Sequence, residues 1–107
     1  MLARVVEMNV LPDKTETFRT ITNNEILPLL KKNPGFVDWI VLFNEKTNHK
    51  LTSVLLFKSK TDIEKYERET YPTIMQKIRP LLKEDPRVEI CTVETSTIHR
   101  ISAGMAA

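Results

Sequence analysis

Hydrophobic residues recur along this chain at two different spacings, and each change of spacing marks a new element. From Leu2 to Leu11 the period is that of a strand: Arg4, Val6, Met8 and Val10 share one face, and Ala3, Val5, Glu7, Asn9 and Leu11 share the other. Neither face is wholly polar, as expected of a strand covered on both sides. Pro12-Asp13 interrupts the pattern, and a helical spacing follows. At about 100° per residue, Phe18, Ile21, Thr22, Ile26 and Leu29 form one stripe, with Glu25 inside it. Asp13 is expected to cap this helix, with Glu16 as its capping-box partner. Pro28 should kink the helix or end its regular part early. Lys31-Lys32 suit a helix C-terminus, and Asn33-Pro34-Gly35 forces a turn.

Two short apolar runs, Phe36 to Phe43 and Leu51 to Phe57, flank the polar segment Asn44 to Lys50, which predicts an antiparallel hairpin. Phe36, Asp38, Ile40 and Leu42 alternate with Val37, Trp39, Val41 and Phe43, so both faces are again largely apolar. A second helix is predicted after Thr61, capped by Thr61 with Glu64 completing the box. Its buried stripe is Ile63, Tyr66, Thr70, Ile74, Ile78 and Leu81, and Pro72 divides it into two segments. Arg87 to His99 reads as a long last strand, longer than its partners need, and Ser102 to Ala107 as a frayed tail.

The order strand, helix, strand, strand, helix, strand builds two split strand–helix–strand units, an α+β, ferredoxin-like βαββαβ arrangement. Right-handed crossovers place both helices on one face of a four-stranded antiparallel sheet. The opposite face then needs cover, which a second copy supplies with two-fold symmetry. The expected interface is sheet face against sheet face, above roughly 2,000 Å² in total, with the last strand contributing at its edge.

Composition narrows the partners. The 107 residues are expected to form one domain. A net charge of +2, from 16 basic and 14 acidic residues, is interleaved rather than gathered into a basic stripe, which argues against nucleic acid. No apolar run approaches the ~20 residues a membrane helix needs. Cys91 stands alone, so a reducing cytoplasm is the expected compartment. There is no Gly-rich phosphate loop and no Ser-His-Asp order. Glu7, Glu25 and Asp38 could approach one another, but no His accompanies them at metal-ligand spacing.

Three stretches, PGFVDWIVL, LLFKSKTDIEKYERETYP and RVEICTVETST, resemble the antibiotic biosynthesis monooxygenase-like family of dimeric α/β-barrel proteins. Pro34-Gly35-Phe36, Phe57-Lys58-Ser59-Lys60 and Tyr66 carry the likeness. It implies a homodimer with a pocket between sheet and helices in each protomer. The family includes cofactor-independent quinone-forming oxygenases and haem-degrading enzymes. Haem-degrading relatives use an Asn, a Trp and a His where this chain has Glu7, Tyr66 and Gln76, so no haem, and no other cofactor, is expected.

The resemblance therefore points to cofactor-independent oxygenation of an aromatic or polycyclic small molecule. The alternative is a non-catalytic dimer that binds a small apolar ligand or serves structurally. Polar groups on faces that should be buried are the candidates for chemistry. Glu7 and Glu25 are candidate bases; Asn9, Trp39 and Tyr66 are candidate donors and walls. Against this stands a plainer account, in which Glu7 pairs with Arg4 or Arg100 at an edge, Glu25 snorkels out near Pro28, and both aromatics fill core.

Overall fold

In the computed structural model, which describes residues 1–99, the helices cover one face of a four-stranded antiparallel sheet. The strands are β1 (Leu2–Asn9), β2 (Phe36–Phe43), β3 (Lys50–Phe57) and β4 (Arg87–Thr92), in spatial order β2-β3-β1-β4. The predicted ferredoxin-like arrangement is the one observed. Arg100, and the Ser102 to Ala107 tail read as frayed, lie outside the described residues.

β1 ends two residues before the expected Leu11. Val10 makes an isolated bridge to Leu82, and the Leu11 amide donates to the Leu81 carbonyl at 2.8 Å. Asp13 caps no helix; it sits in a 3-10 turn (Pro12–Lys14) that precedes helix α1 (Thr15–Ile21), and no side-chain cap bond forms. The next turn, Thr22–Ile26, is a π-helix, and α2 (Leu27–Lys31) follows with Pro28 in its first turn. Pro28 has no amide hydrogen and its ring would crowd the carbonyl a turn earlier. The wider π turn removes that conflict. It also resets the buried spacing: Thr15 and Phe18 are followed by Thr22, Ile26 and Leu30 at intervals of four. Leu30 is therefore buried in the core while Leu29 packs half-buried against it, and Glu25, expected on the buried stripe, turns outward.

Val37 is a bulge between the Phe36–Phe57 and Asp38–Leu56 pairs. The extra residue breaks strict alternation and puts Phe36 on the same side as Trp39, Val41 and Phe43, packed on the core. Phe36 meets Phe57 edge-on with ring centroids 6.1 Å apart. Asn44 stabilises the hairpin turn as expected of an Asx residue, its Oδ1 accepting from the Lys46 and Thr47 amides at 2.9 Å each. Gly35 has φ +75, and a Cβ there would sit 2.0 Å from Asp62 Oδ2, so only glycine serves at this junction.

Helix α3 (Lys60–Glu69) starts earlier than predicted. Its cap is Ser59, not Thr61: the Ser59 hydroxyl accepts from the Asp62 amide at 3.2 Å and donates to Asp62 Oδ2 at 2.8 Å. The cap lies two residues ahead of the expected Thr61–Glu64 box, and Asp62 returns its bond to the Ser59 hydroxyl rather than to the backbone amide of a capping box. Pro72 sits in the first turn of α4 (Tyr71–Ile78), so the predicted division of the second helix is present.

β4 stops at Thr92, well short of the expected His99. Val93 donates to the Met1 carbonyl at 3.1 Å, and the chain then leaves the strand direction and brings His99 Nε2 to 3.2 Å from Asp38 Oδ2 on β2, at the opposite edge of the sheet. The segment thus spans the end of the sheet on the face turned away from the helices. Ala3 and Leu56, on that face, are buried there, whereas Ile40 and Leu42 farther along it remain 41% and 53% exposed.

Candidate functional site

The helix-facing side of β1 carries Leu2, Arg4, Val6 and Met8, and in the middle of this apolar row Arg4 is only 2% exposed. A buried guanidinium is costly unless its donors are met. Its Nε donates to Glu67 Oε2 of α3 at 3.0 Å. Its guanidinium carbon lies 4.1 Å from the Tyr71 ring centroid and 5.2 Å from that of Tyr66, two rings that themselves meet at 6.0 Å. Nη1 is buried and has no partner. The break between α3 and α4 is what brings both tyrosines over one side chain: Tyr66 comes from the body of α3, and Tyr71 opens α4.

Around Arg4 lies a small cavity of ≈ 30 Å³ between sheet and helices. Its walls include Val6, Ile26, Leu55, Ile74 and Ile78, with Trp39, Tyr66 and Tyr71. Trp39 Nε1 donates to the buried Ser53 hydroxyl at 2.7 Å, which fixes the indole on the cavity side of β2. Tyr66 is almost wholly buried, and loss of solvent pushes its hydroxyl pKa well above the ordinary 10.0, against the opposing pull of the Arg4 cation. The phenol therefore stays protonated. The site offers a buried cation with a free donor, and aromatic and aliphatic walls.

Two of the five residues singled out in the sequence, Trp39 and Tyr66, line this cavity. The other three do not. Glu7 points to the opposite face, is exposed, and pairs loosely with Arg87 at 3.9 Å rather than with Arg4. Asn9 lies on that same face and donates to Glu84. Both border an open groove of ≈ 520 Å³ with Asn44, Glu84 and Arg87. Glu25, expected to be buried, is about half exposed and bonded to Lys77 of α4 at 2.9 Å. Glu7, Glu25 and Asp38 thus go to three separate partners, and the described residues hold no cluster of His, Cys, Asp or Glu placed for a metal ion. No carboxylate lines the cavity.

Arg4, Tyr71 and Ser53 were not singled out from the sequence. A signal for Arg4 was present: it is the one charged residue in a strand face otherwise made of Val6, Met8 and Val10. Nothing local marks Ser53 or Tyr71, whose roles depend on the partners that folding brings to them.

With this geometry in view, the solved structures similar to the chain share one architecture. SnoaB, a cofactor-independent oxygenase from Streptomyces nogalater, superposes with a TM-score of 0.71 at 13% identity, over 90% of this chain and 95% of that one. A monooxygenase from the ActVA-Orf6 gene of Streptomyces coelicolor, in complex with nanaomycin D, gives 0.74 at 12% identity, over 89% and 88%. A protein provisionally assigned as an antibiotic biosynthesis monooxygenase from Nitrosomonas europaea gives 0.75 at 18%, over 86% and 88%. The chain has the antibiotic biosynthesis monooxygenase-like fold. No family model matches the sequence, and no curated protein matches it. Among the described residues, no helix is long and apolar enough to cross a membrane.

Proposed function

We propose that this protein is a cofactor-independent monooxygenase that oxidises an aromatic or polycyclic small molecule at the Arg4 cavity. The observation that carries the reading is Arg4 itself: a buried cation against two tyrosine rings, with Nη1 unpaired. A buried cation that keeps a free donor beside its Glu67 pair favours an anionic guest. A hydroxylated ring or an activated methylene ionises more readily beside it, so the cation lowers the substrate's own pKa in place of a wall carboxylate. The anion then reacts with dioxygen: the methylene carbon becomes a carbonyl, one oxygen atom stays on the ring, and the other leaves as water with the two lost hydrogens.

The substrate enters where Met8, Trp39 and Tyr71, all only half-buried, close the cavity. Trp39 and Tyr66 then serve as walls. Glu7, Asn9 and Glu25 are too far outside to act as base or donors there. We further propose one domain over the chain, working as a homodimer through the uncovered sheet face that shows Ile40 and Leu42. The single, unpaired Cys91 suits a reducing cytoplasm.

The test is aerobic conversion of a hydroxylated anthrone to the anthraquinone, with one dioxygen consumed per turnover and no hydrogen peroxide released. Arg4→Met should abolish the acceleration over buffer. A wild-type rate equal to buffer would sink the reading. The second reading, a non-catalytic dimer that holds a small ligand or serves structurally, is favoured by one observation: ≈ 30 Å³ is far below the roughly 300 Å³ or more of ordinary ligand pockets. It expects the anthrone to bind or be ignored without oxygen uptake.

A further inference from the structure

We infer that His99 and Asp38 form a proton-operated latch that positions Trp39 at the mouth of the Arg4 cavity. The inference takes that cavity as the binding site, as proposed above, and adds two positioning residues that lie outside it.

The latch follows from where an edge strand leaves its amides. β2 has β3 on one side only. The Asn44 amide donates to the Lys50 carbonyl at 2.9 Å, so alternate β2 amides back to Asp38 also point toward β3. The Trp39 amide lies between two of these and points out of the sheet, where no strand among the described residues receives it. The Asp38 carboxylate folds back to meet it, Oδ1 accepting from the Trp39 amide at 2.8 Å. The indole is held at its other end, where Nε1 donates to Ser53 at 2.7 Å. Asp38 thus fixes the stretch of backbone that carries one wall of the cavity.

The second carboxylate oxygen meets the segment that crosses the sheet. Cys91, Ala3, Leu56 and Asp38 are cross-strand neighbours, a single row over all four strands on the face away from the helices. The segment from Val93 to His99 passes along that row from β4 to β2, where Ala3 and Leu56 are buried. At its end the His99 amide donates to Ser96 Oγ at 3.2 Å, a local turn that presents the ring, and Nε2 lies 3.2 Å from Asp38 Oδ2. The His99 side chain is 19% exposed and that of Asp38 40%. Asp38 is the charged group of the sheet that meets the ring. Of the other titratable side chains on this side, Cys91 stands at the far end of the row, Glu89 one row on along β4, and Glu94 in the segment itself. The helices lie on the opposite face.

Histidine side chains ordinarily change charge between about pH 5 and 8. Charged, the ring donates a charge-assisted bond to Oδ2, which holds the carboxylate with Oδ1 on the Trp39 amide. Neutral, it gives up the ion pair, and Asp38 is free to turn to water and release both partners. The charged state is therefore the held state, and the wall loosens as pH rises. A wall already held in place binds its guest more tightly, because less freedom is lost on binding.

Trp39 is the only tryptophan, so its fluorescence reports the wall directly. Acrylamide quenching should rise about twofold or more between about pH 5 and 8.5, as one proton leaves. His49→Gln, at the chain's other histidine, should keep that transition. His99→Lys carries a cation throughout and should stay at the acid value, whereas His99→Gln should stay at the alkaline value. Asp38→Asn should be flat as well. A folding defect common to the two His99 variants cannot give them opposite values. At one pH, where the anthrone's own ionisation is the same for both, His99→Gln should show a KM for anthrone about threefold above that of His99→Lys, with kcat unchanged. Wild-type quenching that is flat with pH, a transition that survives in His99→Gln, or a midpoint that moves with protein concentration overturns the latch. Equal KM values in the two variants overturn its role at the cavity. Quenching as expected with no anthrone turnover supports the latch and overturns the oxygenase reading alone.

Discussion

Arg4 is held by packing as much as by charge, and that decides how its substitutions behave. Its partner Glu67 is 39% exposed at the side chain, so it returns to water at little cost when the guanidinium is removed. Replacing a buried cation by an apolar chain of similar length is often neutral, while truncation leaves a hole beside Tyr66 and Tyr71. Arg4→Met is therefore expected to stay within about 1–2 kcal/mol of wild type, and Arg4→Ala to lose about 3 kcal/mol or more. Urea midpoints at matched protein concentration check both; equal losses would mean the charge itself holds the fold. Tyr66 gives a second test. Burial raises its pKa above the unfolded value of 10.0, so the folded state keeps a proton that the unfolded state gives up. The stability this confers is complete below pH 10 and is lost as pH rises beyond it. Tyr66→Phe should flatten that alkaline fall, measured by denaturant midpoints from neutral to strongly alkaline buffer.

At the scale of elements, the two helical regions start and bend where side chains meet backbone needs. Ser59 accepts from the Asp62 amide, so Ser59→Ala should cost about 1 kcal/mol, while Thr61→Ala on the exposed first turn should fall within about 0.5 kcal/mol. Equal effects would contradict the observed cap. The π turn Thr22–Ile26 is the other device. It lets Pro28 begin a new helix and turns Glu25 toward Lys77 instead of the core. Glu25→Gln should then change stability by less than about 1 kcal/mol, as exposed ion pairs do. A loss several times larger in thermal unfolding would return Glu25 to a buried role.

Across the whole molecule the sheet has one helix-covered face and one face guarded only at its end, by the segment running from Val93 to His99. Ile40 and Leu42 stay open on it. At about 25 cal/mol per Å², several hundred Å² of such surface buried on each partner outweighs the cost of association. The expected outcome is a dimer in sedimentation at micromolar protein, with an unfolding midpoint that rises with concentration. Leu42→Lys should weaken the dimer and lower the midpoint. A folded monomer at those concentrations would contradict the proposed pairing.

Periodicity along the chain was enough to define the order and type of every main element, because strand and helix place side chains at spacings that a core of one polarity must respect. The breaks at Pro12, Pro28 and Pro72 were legible for the same local reason: proline removes a donor wherever it stands. What the tertiary structure alone decided was phase and partnership. A bulge at Val37 and a π turn at Thr22–Ile26 each shift the pattern by a residue, and so chose the faces of Phe36 and Glu25. The candidate site followed the same division. Trp39 and Tyr66 were readable as amphipathic aromatics on buried faces. Arg4 became a site only when α3 and α4 brought Glu67, Tyr66 and Tyr71 around it, from more than sixty residues away, and left one of its donors unmet. Whether a buried charge is satisfied depends on what packs against it, and that is settled by folding rather than by neighbours in the chain.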